Sequence, residues 1–215
     1  MKKTHLAAIL IIVLSFLIGI YSYGYFPDKI ASHWNSSGLV DGYMSKFWGI
    51  FLMPLLSIAL FLLFIYLPKL DPLKKNYKSF SNYYDSFILV MIVFLFYAYL
   101  LTILWNFGFN FNMSLALIPA LGFLFFYIGI VLKKLKRNWF IGIKTPWTVS
   151  SDKVWEKTHK LGSTLFKISG IITIIGIFFP GYIIWFTLVP VILSSVWLII
   201  YSYLEYRKTP VSKSR

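Results

Sequence analysis

The chain has 215 residues, of which 59% are apolar and only 13% are charged, whereas a soluble domain carries roughly 25% charged residues. This composition excludes a water-exposed globule, and the absence of cysteine excludes disulfides, thiolate metal sites and thiol catalysis. The formal charge of +14 would favour a nucleic-acid partner in a soluble protein, but here the basic residues separate apolar segments, and we expect no direct contact with nucleic acid.

The apolar residues form six segments of about 20 residues, the length that crosses roughly 30 Å of hydrocarbon. Because lipid offers no partner to a free backbone group, such spans must be helical. The sequence therefore predicts an all-α polytopic membrane protein with six transmembrane helices. The predicted spans are residues 6–25, 48–67, 86–105, 113–132, 164–179 and 182–204, with Pro68 ending the second and Asp85 in the link before the third. This divides the chain into residues 1–67, 68–132 and 133–215.

The basic residues are distributed unequally between the links. All but Lys29 and Lys46 of the 21 lysines and arginines precede the first span, lie in the second link or the central loop with its edge, or follow the sixth span, where the tail contains Lys213 and Arg215. With six spans, these regions share one side of the membrane. The positive-inside rule makes that side cytoplasmic, so we expect both termini in the cytoplasm, a multi-pass protein of a bacterial or archaeal plasma membrane, and the lipid bilayer as a partner.

The predicted spans contain almost no ionisable side chains, Lys167 near one end of the fifth span being the exception. Proton relays and ion pumps need such groups at membrane depth, which argues against transport. A small-molecule or ion transporter or channel remains the alternative function, and a membrane enzyme acting on lipid or peptide is a third. No nucleophile–base pair is recognisable, and one histidine with scattered aspartates is weak as a zinc site. We therefore predict no catalytic residues, no metal and no cofactor.

The first link, residues 26–47, is polar and rich in turn-forming residues. It contains His33 and Trp34, with Asn35 and Gly38 typical of one turn and Asp41 with Gly42 typical of another. Two interpretations are open: a turn-rich loop with an interfacial tryptophan, or a surface outside the cell that contacts a ligand or peptide.

The central loop, residues 137–163, is the longest break between apolar segments. Ser150 or Ser151 is a natural N-cap for a helix whose first turn contains Asp152. That helix would place Trp155, His159 and Gly162 on one face and pair Glu156 with Lys160 on another. Trp139, Trp147 and Trp155 would form an aromatic belt at the headgroups. The loop is then either an amphipathic lipid anchor or a docking surface for a cytoplasmic partner.

Two motifs resemble a known family. Residues 138–148 read Asn-Trp-Phe-Ile-Gly-Ile-Lys-Thr-Pro-Trp-Thr and are followed by Val154-Trp155, Thr158-His159 and Gly162. They resemble the signature of the SdpI family of bacterial and archaeal membrane proteins. The first link, with Pro27, His33-Trp34-Asn35, Gly38, Asp41-Gly42 and Lys46, is similar to the small domain of unknown function that often precedes that signature. Lys144 stands where many members have arginine, which would weaken a bidentate contact.

The resemblance implies an immunity protein rather than an enzyme. The best-known member of the family protects its own cell from a secreted peptide toxin that collapses the membrane potential, and it holds a small DNA-binding repressor at the membrane when toxin is present. By resemblance, the external ligand would be contacted by Pro27, His33, Trp34, Asn35, Gly38, Asp41 and Gly42. The repressor would be contacted by Asn138, Gly142, Lys144, Thr145, Pro146, Trp147, Thr148, Trp155, Thr158, His159 and Gly162.

Overall fold

A computed structural model describes residues 2–208; the predicted basic residues Lys213 and Arg215 lie outside this range. Within it, the chain forms helix α1 (Lys3–Tyr23), strands β1 (Lys29–Trp34) and β2 (Val40–Ser45), and helices α2 (Lys46–Leu70), α3 (Ser81–Asn106), α4 (Met113–Leu132), α5 (Pro146–Ser150), α6 (Asp152–Ile175) and α7 (Ile183–Arg207). Short 3₁₀ helices cover Lys74–Ser79, Gly176–Phe178 and Pro180–Tyr182.

Six of these helices, α1, α2, α3, α4, α6 and α7, are long and apolar enough to cross a membrane. This confirms the prediction of an all-α, multi-pass membrane protein. The bounds of α4 agree with the predicted span, whereas the other five membrane helices begin and end at residues that differ from the predicted bounds. Helix α2 continues through Pro68 to Leu70. Pro68 has no N–H for the Phe64 carbonyl, which accepts instead from the Tyr84 hydroxyl at 2.6 Å. Helix α3 begins before Asp85, whose buried carboxylate is bonded by Lys2 and, at 2.9 Å, by His5 Nε2.

The largest boundary difference concerns the fifth span. The helix of the central loop and the fifth span are one continuous helix, α6, which begins at Asp152 rather than at residue 164. The side chain of Ser151 accepts a hydrogen bond from the Val154 N–H, which confirms the predicted N-cap. No residue from 152 to 175 interrupts the helix, and the extended backbone of Ser151, with φ −144° and ψ 121°, marks its start.

The helices pack as two groups, α1–α2–α3 and α4–α6–α7, joined mainly by contacts of α3 with α4. The tightest packing is between α4 and α6. A Cβ atom on Gly170 would lie 2.5 Å from the Gly122 carbonyl oxygen, and one on Gly129 would lie 2.8 Å from the Ser163 carbonyl oxygen. Small residues permit such close approach of two membrane helices. Gly129 faces Ser163, and Leu132, the last residue of α4, lies close to Gly162, so only the first turns of α6 extend beyond that end.

We call the end of the bundle that carries the links 71–80 and 133–151 the basic end. The other end carries β1 and β2 and is called the hairpin end. The two strands form an antiparallel hairpin with register shifts after Ala31 and after His33. The sequence had suggested only a turn-rich loop here. The hairpin is held by Asn106, whose side chain accepts from the Ala31 N–H at 2.9 Å and donates to the Ala31 carbonyl at 3.0 Å.

Candidate functional site

Asn138 organises the central loop at the basic end. Its side chain is fully buried and makes five hydrogen bonds. The amide oxygen accepts from the backbone N–H groups of Phe140 and Ile141, at 3.0 and 2.7 Å, and from the Tyr77 hydroxyl at 3.3 Å. The amide nitrogen donates to the carbonyls of Lys136 and Ile141, both at 3.0 Å. Asn138 thus serves as an internal template for a loop that has little regular structure of its own.

Asp71 connects this loop to the link between α2 and α3. The Asp71 carboxylate is buried and accepts from the Trp139 N–H at 2.8 Å, the Leu73 N–H at 2.7 Å and the Tyr77 hydroxyl at 3.1 Å. Burial, together with the nearby Asp71 carboxylate, raises the pKa of the Tyr77 phenol far above its ordinary value. The hydroxyl therefore stays protonated and donates to both Asp71 and Asn138.

The Thr-Pro-Trp-Thr segment forms the capped start of the short helix α5. The Thr145 side chain accepts from the Thr148 N–H at 3.2 Å, and the Thr148 hydroxyl accepts from the Thr145 N–H at 2.9 Å, a reciprocal capping box. Pro146 occupies the first turn, where its missing N–H costs nothing. The Thr145 hydroxyl also lies 3.0 Å from that of Ser202 on α7, which fixes α5 against the last span.

Gly142 and His159 meet where the loop crosses α6. Gly142 has a φ of +109°, and a Cβ atom there would lie 2.4 Å from His159 Nε2, so the position requires glycine. His159 Nδ1 donates to the Trp155 carbonyl at 2.8 Å, and Nε2 accepts from the Ile143 N–H at 3.0 Å. Both ring nitrogens are therefore occupied in the neutral Nδ1–H tautomer, and the ring links two backbone segments.

Trp155, His159 and Gly162 lie on one buried face of α6, as the helical spacing predicted. The expectation that Trp155 belongs to an interfacial aromatic belt is wrong, because its side chain is 2% exposed. The indole N–H donates to the Leu135 carbonyl at 3.0 Å, and the ring stacks on His159 with 3.9 Å between centroids. The reason is that residues 133–145 fold back over the part of α6 that extends beyond α4.

The charged face of α6 also differs from the prediction. Among residues 2–208, Glu156 and Lys160 do not form an ion pair. Instead, Asp152 pairs with Arg137 Nε at 2.8 Å, and Lys157 pairs with the buried Glu205 of α7 at 2.5 Å. The acidic and basic residues at the start of α6 thus pair with the central loop and with α7 rather than with each other.

The predicted repressor-contacting residues are consequently of two kinds. Most of them are inside the protein, and five, Asn138, Thr145, Thr148, Thr158 and His159, are buried polar residues. Lys144 and Pro146 are exposed, and Trp147 is half-buried with its ring centroid 5.0 Å from that of Tyr203. The predicted set therefore describes mainly how the loop is built. Asp71, Tyr77 and Ser202 belong to the same network and had not been singled out, because they are far away in sequence and carry no local motif.

At the hairpin end, the seven predicted ligand-contacting residues lie on or next to one hairpin. Asn35 forms its turn, since the side-chain oxygen accepts from the N–H groups of Ser37 and Leu39 at 2.9 and 3.0 Å. Gly38 has a φ of +77°, and Asn112, the N-cap of α4, donates to the Ser37 carbonyl at 2.9 Å. Gly42 faces His33 across the strands, where a Cβ atom would lie 2.8 Å from His33 Cβ. Pro27 is exposed just before β1.

Two side chains of the hairpin present polar groups. His33 and Asp41 are exposed and hydrogen-bonded to each other, with 2.5 Å between Nδ1 and Oδ1. Trp34 packs edge-on against Trp105, and its indole N–H is buried without a hydrogen-bond acceptor among the described residues.

Trp34 lines a cavity of about 510 Å³ between the hairpin and the two helix groups. Its walls include Ser32 of β1, Ser36 of the turn between the strands, Thr102 of α3, Met113 and Ile118 of α4, and Ile184 of α7. The cavity is mostly apolar with a few hydroxyl-bearing residues in its wall, the combination that suits a peptide segment or an amphipathic small molecule.

No cluster of three or more potential metal ligands occurs among residues 2–208. His33 and His159 lie at opposite ends of the bundle and belong to separate sites.

Two family models match the chain. Residues 10–58 match a domain of unknown function, DUF1648, which covers most of α1, the hairpin and the first half of α2. Residues 134–202 match the SdpI/YfhL protein family, which covers the central loop, α6 and most of α7. The chain carries an SdpI-family domain.

The SdpI-family domain and the preceding DUF1648 domain confirm the resemblance seen in the two motifs. The chain is 29% identical over 209 residues to the "Immunity protein SdpI" of Bacillus subtilis (strain 168). The aligned region covers 96% of this chain and 97% of that protein. No solved structure matches the chain.

Proposed function

We propose that this protein is an integral membrane immunity protein that protects its own cell from a secreted peptide toxin. The observation that carries the proposal is the extent of the similarity to an immunity protein, which runs through 96% of this chain and 97% of that relative. It includes both the hairpin end and the central loop, and not only the apolar spans that any membrane protein shares.

The proposal places the basic end in the cytoplasm and the hairpin end outside the cell. Lys29 and Lys46 are the basic residues of the hairpin end, and Lys46 is engaged there, with Nζ donating to the Phe26 carbonyl at 3.1 Å and lying 4.8 Å from the Tyr23 ring centroid. The links of the basic end carry most of the other lysines and arginines, and such an excess marks the cytoplasmic side.

The toxin would then be met by the cavity beneath the hairpin. Trp34 lines this cavity, and its indole N–H is enclosed without a described acceptor, a state that costs roughly 1–3 kcal/mol until the ring turns toward an acceptor. A backbone carbonyl of an extended peptide supplies such an acceptor, and the apolar walls accommodate the adjoining side chain.

Signalling through a cytoplasmic DNA-binding repressor would use the outer surface of the central loop. The exposed residues of the loop include Trp139, which is 54% exposed, Lys144 and Pro146, and Trp147 is half-buried. Aromatic residues on an exposed surface are frequent hot spots of protein interfaces. The buried network around Asn138 would hold this surface in shape.

The function is tested by deleting the gene in its own host and challenging the deletion strain with the peptide fraction that the parent strain secretes. We expect viable counts and membrane potential, read with a potential-sensitive dye, to fall in the deletion strain and to be restored by the intact gene. Equal survival of parent and deletion strains in that fraction would contradict an immunity function.

The toxin-contacting position is tested with Trp34→Phe, which removes the free N–H and keeps an aromatic ring. Trp48→Phe is the matched control, because Trp48 is 52% exposed near the same end and does not line the cavity. We expect Trp34→Phe to reduce survival at an equal membrane level, with Trp48→Phe resembling wild type. Equal protection by both variants would show that Trp34 does not contact the toxin.

A further inference from the structure

A cleft at the basic end has a composition that the immunity function does not explain. It has a volume of about 580 Å³ and lies between the link before α3, the end of α4 and the start of α6. Its cationic side chains are Lys75, Lys133, Lys134, Lys136 and Arg137. Five cations face a single concave space, whereas surface lysines normally point in separate directions into water.

The acidic residues of the cleft do not neutralise this charge. Asp152 forms an ion pair with Arg137, whose Nε lies 2.8 Å from Asp152 Oδ1. Glu156 is the other carboxylate in the wall. None of the four lysines has a carboxylate within ion-pair distance in residues 2–208. Lys134 lies over the Tyr83 ring at 5.3 Å from its centroid, so three lysines remain without a described partner.

The floor of the cleft is rigid and uncharged. Trp155 and His159 form part of it, and both side chains are buried and hydrogen-bonded to backbone groups. One wall is held to the other by Asn76, whose side chain donates to the Arg137 carbonyl at 2.7 Å. The backbone that carries the cations is therefore preformed, and binding an anion would order only the exposed lysine side chains.

The position of the cleft indicates the kind of anion. Lys133 and Lys134 directly follow Leu132, the last residue of the membrane-spanning helix α4, which places them at the level of lipid headgroups. Leu135 lines this cleft and also an apolar cavity of about 210 Å³ whose walls include Phe87, Ile128 and Phe166. A basic site that adjoins an apolar cavity at this depth has the two parts that a phospholipid requires.

We propose that this cleft is a binding site for a phosphate-bearing anion, supplied by the headgroup of an anionic phospholipid. Lys75, Lys133 and Lys136 contact the phosphate, and the apolar surface near Leu135 accepts the start of an acyl chain. The bound lipid bridges the link before α3 and the central loop, which belong to the two different helix groups. Its binding is separate from toxin protection and does not depend on the proposed function.

The test compares two triple variants of the full-length protein purified in a neutral detergent. Lys75→Gln, Lys133→Gln and Lys136→Gln together remove the partner-free cleft lysines. Lys3→Gln, Lys153→Gln and Lys160→Gln remove three exposed lysines that do not line the cleft and form no described ion pair. Both variants therefore lose the same net charge, and comparable melting temperatures would show that both are folded.

Native mass spectrometry during titration with phosphatidylglycerol measures the first bound lipid, with phosphatidylcholine as the zwitterionic reference. Each lysine near an anionic surface contributes about fivefold to affinity. We therefore expect the cleft variant to bind phosphatidylglycerol at least about tenfold more weakly than wild type, even if the contributions overlap. The control triple should change by less than about twofold. Equal weakening in both variants, or no weakening in the cleft variant, would overturn the site.

A second arm separates the source of the phosphate. Glycerol 3-phosphate and inorganic phosphate are added as competitors of phosphatidylglycerol. If they displace the lipid only at concentrations at least about a hundredfold higher, the acyl chain contributes and the ligand is a lipid. If they bind wild type as tightly as the lipid does and lose that binding in the cleft variant, the anion site stands but takes a soluble phosphate.

Discussion

The substitution Asn138→Ala tests whether one buried amide holds the central loop together. The alanine removes five hydrogen bonds. The Tyr77 hydroxyl retains Asp71 as its acceptor at 3.1 Å. The N–H groups of Phe140 and Ile141 and the carbonyls of Lys136 and Ile141 lose a partner in a place where the side chain of Asn138 is 0% exposed.

The expected cost follows from these lost partners. A buried polar group without a partner costs about 1–3 kcal/mol, but the four groups are neighbours and their losses overlap, since they can relax together. We therefore expect a loss of about 3–5 kcal/mol in the free energy of unfolding, which is at the upper end for a single substitution. For a chain of this size, that corresponds to a melting temperature lower by at least about 6 °C.

The assay is thermal unfolding of the protein in lipid nanodiscs, followed by tryptophan fluorescence. The matched control is Asn76→Ala in the adjoining link, which removes one amide donor, the bond of 2.7 Å to the Arg137 carbonyl. That variant should lose about 1 kcal/mol. If Asn138→Ala melts no lower than Asn76→Ala, the loop does not depend on the amide, and the description of Asn138 as a template is refuted.

Three further predictions concern Gly38, Gly142 and the orientation of the protein in the membrane. Gly38→Ala should lower toxin protection, because Gly38 has a φ of +77° and a Cβ atom would lie 2.2 Å from Asn112 Oδ1; Gly24→Ala, with no atom within 4 Å, should survive challenge like wild type. Gly142→Ala, at a φ of +109°, should lower the melting temperature by several degrees, whereas Gly181→Ala should leave it within error, and equal melting of both would contradict the strain at Gly142. Single cysteines at Ser37 and at Lys75 should react with a membrane-impermeant maleimide in intact cells only at Ser37; labelling at Lys75 would reverse the orientation.

The spans were predictable because their signal is local. A run of about 20 apolar residues specifies a membrane helix without reference to the rest of the chain. The cap at Ser151 was predictable for the same reason, since it depends on residues within one turn. The predicted start of α6 was nevertheless too late in the chain, because the first turns of the helix are polar and the apolar run alone was used to define the span.

The hairpin was missed because its strands do not alternate cleanly. Ile30 and Ala31 are both buried although they are consecutive, and the register shifts near His33 break the expected period of two. Contacts with α3, such as those of Asn106 with Ala31, supply what the local pattern lacks. A strand pair that is stabilised by long-range contacts cannot be predicted from the local sequence pattern.

The network of the central loop could be predicted only in part. Gly142, Thr145 and Pro146 signal a turn and a helix start through their own conformational preferences. Asp71 and Tyr77 lie more than sixty residues earlier and carry no comparable signal, yet they hold the Asn138 side of the loop. The family signature therefore combines residues that shape the loop with a smaller number that remain on its surface.

This distinction decides how repressor docking must be tested. His159→Ala is unsuitable, because it would remove the acceptor of the Ile143 N–H and open a cavity beside Trp155, so a loss of signalling would also follow from unfolding. Replacing Lys157 is unsuitable as a neutral control, because Lys157 pairs with the buried Glu205.

The informative pair is Trp147→Ala and Lys153→Gln. Trp147 is half-buried on the loop surface against Tyr203, and Lys153 is exposed and has no described ion pair. If the loop docks a repressor, Trp147→Ala should abolish induction of a repressor-controlled reporter at a normal membrane level, because interface energy concentrates in aromatic anchors. Lys153→Gln should retain induction. If instead both variants reduce induction to the same extent, the loop acts through its charge as a lipid anchor, and docking through the Trp147 surface is wrong.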